Sequence, residues 1–147
     1  MSVKVPLTAE GNFSRLMARY GELLSADDQA ALAATLATPL PRTFWLNTHV
    51  ADRETILSEL VRLGVQAEPM AWNSQGFRCT DAAVALGKTW PYAAGLLHIQ
   101  EEVSMLPVHA LAPEPGECVL DLCAAPGNKT AQMALLMQRR GTVVAND

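Results

Sequence analysis

The 147-residue chain predicts an α/β protein, with an N-terminal helical hairpin, a small β-α-β-β unit and then the opening of a doubly wound parallel sheet. Three observations carry this. Phe13, Leu16, Met17, Tyr20, Leu23 and Leu24 recur at three-and-four spacing, the period of one helix face. Between residues 43 and 79, short apolar runs flank one helical segment. Finally, Cys118-Val119-Leu120-Asp121-Leu122 runs into the small-residue stretch Cys123-Ala124-Ala125-Pro126-Gly127-Asn128-Lys129-Thr130, a helical pattern and a second apolar run, Thr142 to Asn146. Strand, tight turn, helix and strand in that order open a parallel sheet.

The elements follow in order. Ser25 with Asp28 caps the second helix of the hairpin, which carries Ala31, Leu32 and Leu36, and Pro39 and Pro41 end it. Thr43 to Asn47 reads as a strand. The helix after it sets Ile56, Leu57, Leu60, Val61 and Leu63 on one face and is stopped by Gly64. Val65 to Trp72 and Gly76 to Cys79 read as strands about an Asn73-Ser74-Gln75 turn, with Trp72 and Phe77 packing across that hairpin. Lys88 to Pro91 is expected as a linker. Glu101 to Leu111 reads as a helix that Pro107 kinks or breaks, and Pro113 to Gly116 turns the chain into the strand at Cys118. The expected domains are residues 1–90 and 91–147. No internal repeat is visible.

The turn at 123–130 points to a ligand. A strand-to-helix junction gathers free backbone N–H groups and the positive end of a helix dipole, so a polar or anionic group can approach the main chain. A P-loop would place glycines where Cys123 and Asn128 stand, and a dinucleotide fingerprint needs three glycines where this turn has only Gly127. What remains is a ligand with a ribose and no phosphates against the turn, which suits S-adenosylmethionine. Asp147, at the tip of the second strand and 26 residues after Asp121, stands where nucleotide-binding α/β folds read ribose hydroxyls. The alternative is a plain structural turn, since any α/β sheet can put Gly and Pro there.

Asp121 to Thr130, with Gly95-Leu96-Leu97-His98-Ile99-Gln100-Glu101 and Ser104-Met105-Leu106-Pro107 upstream, resembles the Sun/nucleolar-protein family of RNA 5-methylcytosine methyltransferases, closest to its bacterial ribosomal-RNA members. Asn47-Thr48, Pro69-Met70-Ala71-Trp72 and Gly76-Phe77 fit the same pattern, so the likeness spans about residues 40 to 147. It implies a small RNA-recognition-like domain before a Rossmann-like methyltransferase domain. It also implies S-adenosyl-L-methionine as cofactor and RNA as substrate, ribosomal rather than transfer RNA. Carried over by position, Ala124, Ala125, Pro126 and Gly127 approach the methionine end of the cofactor, Lys129 and Thr130 open the helix, and Asp147 is the ribose acid. Asn128 replaces the commoner Gly or Ser, and Trp45 stands where family members often place Arg. Gln100, Glu101 and Ser104 match a motif beside the cofactor and target base, or else form an ordinary helix cap.

The family attacks carbon 6 of cytosine with a cysteine thiolate, making carbon 5 nucleophilic toward the cofactor's methyl group, and a second cysteine helps remove the proton. These cysteines lie in Asp-Ala-Pro-Cys and Ser-Thr-Cys loops, and neither string occurs here, so no catalytic residue is assigned and the chain alone is expected to be inactive. Cys123 reads as a small packing residue. A methyltransferase sheet needs about seven strands, so the chain is expected to be the N-terminal part of a longer product, extending by at least ~150 residues. The alternative is a free-standing RNA-binding or regulatory module with a vestigial cofactor loop.

Composition fits a globular protein, with half of the residues apolar. Neither a membrane span nor a signal peptide is readable, and a cytoplasmic protein is expected. Three cysteines, Cys79, Cys118 and Cys123, without a Cys-x-x-Cys pair indicate neither a disulfide framework nor a zinc site. The net charge of −4 arises from 8 basic and 9 acidic residues over 1–100 and from 3 and 6 over 101–147, so no basic segment marks an RNA-binding face. His49 and His98 read as structural.

Overall fold

The computed structural model describes residues 9–81 and 84–147, with the side chains of Ala9, Glu10, Asn12 and Phe13 outside the described set. The chain forms two compact units, one up to Leu40 and one from Pro41 onward. In the first, α1 (Ala9–Tyr20) passes through a 3-10 turn, Gly21–Leu23, to α2 (Ala26–Ala37). Ser25 caps α2 as expected, its hydroxyl accepting the Asp28 N–H at 3.2 Å. The Gln29 amide fastens the turn by donating to the carbonyls of Gly21 at 2.7 Å and Leu24 at 3.1 Å. Leu16 and Met17 are half-buried, whereas Tyr20, Leu23 and Leu36 are exposed.

The second unit begins with β1 (Thr43–Leu46), α3 (Arg53–Arg62), β2 (Ala67–Pro69) and β3 (Gly76–Cys79). These strands join β4 (Leu97–Ile99) in an antiparallel sheet of order β2-β3-β1-β4. Every residue of β1 is buried because both faces of this central strand are covered. Phe44 and Leu46 face Ile56 and Leu60 of α3, with Phe44 stacked on Phe77 at 5.5 Å between ring centroids. Trp45, on the opposite face by strand alternation, packs with Met70, Met105 and Leu135. Asp52 caps α3, its carboxylate accepting the Thr55 N–H at 2.9 Å, and Gly64 ends the helix with φ +77°.

Several expectations change. The stretch at Lys88 to Pro91 is not a linker but a 3-10 turn, Leu86–Lys88, followed by the short helix α4 (Trp90–Ala93), whose first turn accepts Pro91 because proline's fixed φ suits it. The strand expected over Val65 to Trp72 contracts to β2, since the Val65 N–H is used on the Leu60 carbonyl at 2.9 Å in closing α3. Pro107 sits inside α5 (Glu102–Leu111) without breaking it. Trp72 does not pack on Phe77. Its ring meets His109 edge-on at 5.1 Å, and its indole N–H donates to Glu102 at 2.9 Å.

Beyond α5, β5 (Cys118–Asp121), α6 (Asn128–Leu136) and β6 (Thr142–Ala145) form a strand-helix-strand unit, with Val119 opposite Val143 and Asp121 opposite Ala145 in a parallel pair. Gly141 makes the pairing possible. At φ +112° it holds a conformation that side chains disfavour, and a Cβ there would fall 2.3 Å from the Glu117 carbonyl oxygen. The chain is therefore a mixed α/β protein. Compactness divides it after Leu40.

Candidate functional site

The turn between β5 and α6 is held from three sides. Asp121, buried at the end of β5, accepts the Cys123 N–H at 3.2 Å through one oxygen and the Thr130 hydroxyl at 2.6 Å through the other. From β6, the Asn146 carbonyl accepts the Ala124 N–H at 3.1 Å, and the Asp147 carboxylate accepts the Ala125 N–H at 3.2 Å. From β4, the Ile99 carbonyl accepts the Asn128 side-chain amide at 3.3 Å. Asn128 thus ties the turn to the neighbouring sheet.

Gly127 caps α6 with φ +104°, a conformation that favours glycine. A Cβ built there would meet nothing within 4 Å, so the turn requires glycine for its backbone and faces open space. The first N–H groups of α6 lie beyond reach of any intrahelical acceptor and are directed outward at this end. In front of the turn lies a cleft of about 350 Å³, lined by Ala124, Ala125, Pro126, Asn128 and Lys129 on one side and by Ile99, Gln100, Glu101 and Ser104 on the other. Small apolar groups, one lysine and one carboxylate thus share a concave surface at a helix N-terminus. Such a surface accepts a polar ligand with an anionic end.

The opposite wall is braced from the core. Gln100 is buried, its side-chain oxygen accepting the Trp45 indole N–H at 2.9 Å and its amide donating to the Ser104 carbonyl at 2.8 Å. The Thr43 hydroxyl donates to the Gln100 carbonyl. Trp45 stacks flat on His98, 4.2 Å between ring centroids and 4° between planes. Burial holds the His98 imidazole below its usual range, opposed by a hydrogen bond with Asn128. Asn47 ties β1 to β4, its amide donating to the Gly95 carbonyl at 3.0 Å.

Of the residues singled out from sequence, Ala124, Ala125, Pro126, Asn128 and Lys129 line the cleft, Gly127 shapes its floor, and Asp147 touches the turn. Thr130 is directed away to Asp121. Cys123 and Cys118 are exposed in this chain, while burial raises the Cys79 thiol above its usual range. Asp121 was missed as a site residue, although an acid closing an apolar strand before a glycine turn is a readable signal. Among the described residues, no group of three or more His, Cys, Asp or Glu is arranged to hold a metal, and no helix is long and apolar enough to cross a membrane.

Fold and cleft together define a mixed α/β protein with a ligand-sized cleft at a strand-to-helix turn. Residues 108–147 match the family described as 16S rRNA methyltransferase RsmB/F. The 28S rRNA (cytosine(4447)-C(5))-methyltransferase of Homo sapiens is 36% identical over 133 residues, covering 90% of this chain and 16% of that protein. The tRNA (cytosine(49)-C(5))-methyltransferase of Pyrococcus abyssi is 37% identical over 134 residues, covering 90% of this chain and 42% of that protein. Among solved structures, a methyltransferase homologue from Pyrococcus horikoshii superposes with a TM-score of 0.68 at 39% identity, over 74% of this chain and 35% of that one. This chain belongs to the Sun/nucleolar-protein family of RNA (cytosine-5) methyltransferases. It spans 16% to 42% of the length of the two curated relatives described.

Proposed function

We propose that the protein carrying this chain methylates carbon 5 of a cytosine in RNA, with S-adenosyl-L-methionine as methyl donor and ribosomal RNA as the substrate. The observation that carries this is the contact between Asp147 and the Ala125 N–H, which sets the acid of the second strand tip against the glycine turn of the first. Bound there, S-adenosylmethionine supplies an electrophilic methyl group on a sulfonium. Ala124 to Gly127 and the first turn of α6 hold its amino-acid end, where main-chain N–H groups and Lys129 meet a carboxylate. Asp147 receives the ribose hydroxyls, Asn128 borders the cofactor within the cleft, and Thr130 positions the turn from behind. The cleft volume falls at the low end of the range for small-molecule sites, about 300 to 1,000 Å³.

Residues 1–90 then serve as a helical hairpin and RNA-recognition-like domain, and residues 91–147 as the first part of a Rossmann-like cofactor domain. The named relatives act on ribosomal RNA in one case and transfer RNA in the other; the family description for 108–147 favours ribosomal RNA. The test is methyl transfer from radiolabelled S-adenosylmethionine by the full gene product to ribosomal and transfer RNA, with the modified base identified by mass spectrometry. Label on cytosine carbon 5 of ribosomal RNA is expected. Label only on another base would refute the chemistry, and label only on transfer RNA would refute the substrate. The 147 residues alone carry neither cysteine loop, and no transfer is expected from them.

A further inference from the structure

Trp45 is buried and does not line the cleft, yet its ring is tied to both of the cleft's walls. Toward one wall, the indole N–H donates to the Gln100 side-chain oxygen at 2.9 Å, and the Gln100 amide donates to the Ser104 carbonyl at 2.8 Å. An indole N–H can only donate and a carbonyl can only accept, so a single orientation of the Gln100 amide satisfies both. Gln100 is buried, and reversing it would set like groups against each other at both ends. Its main chain is fixed as well, the N–H donating to the Thr43 carbonyl at 3.1 Å and the carbonyl accepting the Thr43 hydroxyl.

Toward the other wall, the same ring lies flat on His98, its register partner between β1 and β4. His98 shares a hydrogen bond with the side chain of Asn128, whose amide also donates to the Ile99 carbonyl at 3.3 Å. Asn128 lines the cleft from the turn side, and Gln100 and Ser104 line it from the side of β4 and α5. Packing alone would account for a buried tryptophan among Met70, Met105 and Leu135, and any buried indole seeks one acceptor. It does not account for two series of contacts, one from the ring's edge and one from its face, that end on facing walls of one cleft.

We propose that Trp45 is a positioning residue for the cofactor cleft: its indole N–H sets the Gln100–Ser104 wall and its ring face, through His98, sets the Asn128 wall. The separation of the walls is thereby fixed from the core of the antiparallel sheet. This rests on the reading of the cleft as an S-adenosylmethionine site. Because the two links use different parts of the ring, they can be cut one at a time.

The full gene product is compared as wild type, Trp45→Phe, Trp45→Leu and Met70→Ala. Phenylalanine keeps a ring against His98 and lacks the N–H, and leucine lacks both. Met70→Ala removes packing from the same cluster and leaves both links in place. Hydrogen exchange without cofactor is followed over residues 102–108 and 128–135, with α3 as the reference, and S-adenosylmethionine affinity, kcat and the KM for RNA are measured in parallel. Exchange should quicken over 102–108 alone in Trp45→Phe, over both segments in Trp45→Leu, and over neither beyond the change in α3 in Met70→Ala. Cofactor affinity should fall roughly three- to tenfold in Trp45→Phe, the contribution of one hydrogen bond, and further in Trp45→Leu. A displaced methyl donor should also lower kcat while the KM for RNA is unchanged. Trp45→Phe, the milder change, decides alone if leucine at this position prevents folding. Wild-type exchange over 102–108 in Trp45→Phe would overturn the proposal, as would wild-type cofactor affinity with wild-type kcat, or equal losses in Met70→Ala. Absence of S-adenosylmethionine binding by the wild type would instead remove the cofactor reading, and the exchange pattern would still decide whether Trp45 sets the walls.

Discussion

Asp147 and Thr130 stand on opposite sides of the same turn's hydrogen-bond network and have different tasks. The Asp147 carboxylate lies against the turn and has a second oxygen to offer a ribose, so Asp147→Ala should weaken S-adenosylmethionine binding by the full gene product about tenfold or more in calorimetry. Hydrogen bonds to a charged acceptor are worth roughly 1.5 to 3 kcal/mol. Asp147→Asn keeps an oxygen for the Ala125 N–H and should lose less; unchanged affinity in both would refute the ribose assignment. Thr130, bonded to Asp121 at 2.6 Å, is a fastening of the turn. Thr130→Val leaves a buried carboxylate short of a donor and should destabilise the chain by about 1 to 3 kcal/mol in urea denaturation, whereas Thr130→Ser should come close to wild type.

At the scale of elements, the strand-helix-strand unit depends on Gly141. Gly141→Ala places a methyl 2.3 Å from a main-chain oxygen that cannot swing aside, and the parallel pairing that begins with Thr142 N–H on the Glu117 carbonyl must shift. A cost of at least about 1 to 3 kcal/mol is expected, with faster amide exchange over Thr142 to Ala145 than over β1. Equal protection in mutant and wild type would show that this closure does not govern the strand pair. The antiparallel sheet is built differently, since β1 is buried on both faces and its aromatic residues separate into two clusters.

Across the whole molecule, proton binding sets a stability profile. His98 and His109 are both held by burial below the ordinary imidazole value of 6.5, so the unfolded chain binds more protons than the folded one as the pH falls past that value. Their contribution is present above about 6.5 and is lost on acidification through the folded values. The urea midpoint should therefore fall between pH 7 and pH 5.5, and a double substitution, His98→Gln with His109→Gln, should flatten that slope. An unchanged slope in the double variant would show that other groups govern it. Glu102, held down by hydrogen bonds from Arg78 and then Trp72, acts only at lower pH, below the ordinary carboxylate value of 4.5.

The features legible in the sequence are those in which neighbours along the chain decide the outcome. The Ser25 cap, the Gly64 stop, the glycine turn and the parallel pair about Val119 and Val143 each rest on contacts a few residues apart or on an apolar period. Tertiary structure alone decided the rest. β4 was read only as a motif, because three residues, Leu97 to Ile99, carry no period and become a strand by pairing with β1 more than 50 residues earlier. The same distance separates Trp45 from Gln100, and Asn128 reaches back 29 residues to Ile99. Residues 88–91 look like a connector by composition and fold into helical turns. A local pattern states which groups seek burial or a partner, whereas the identity of that partner depends on which strands lie side by side, and that is settled by packing the whole unit at once.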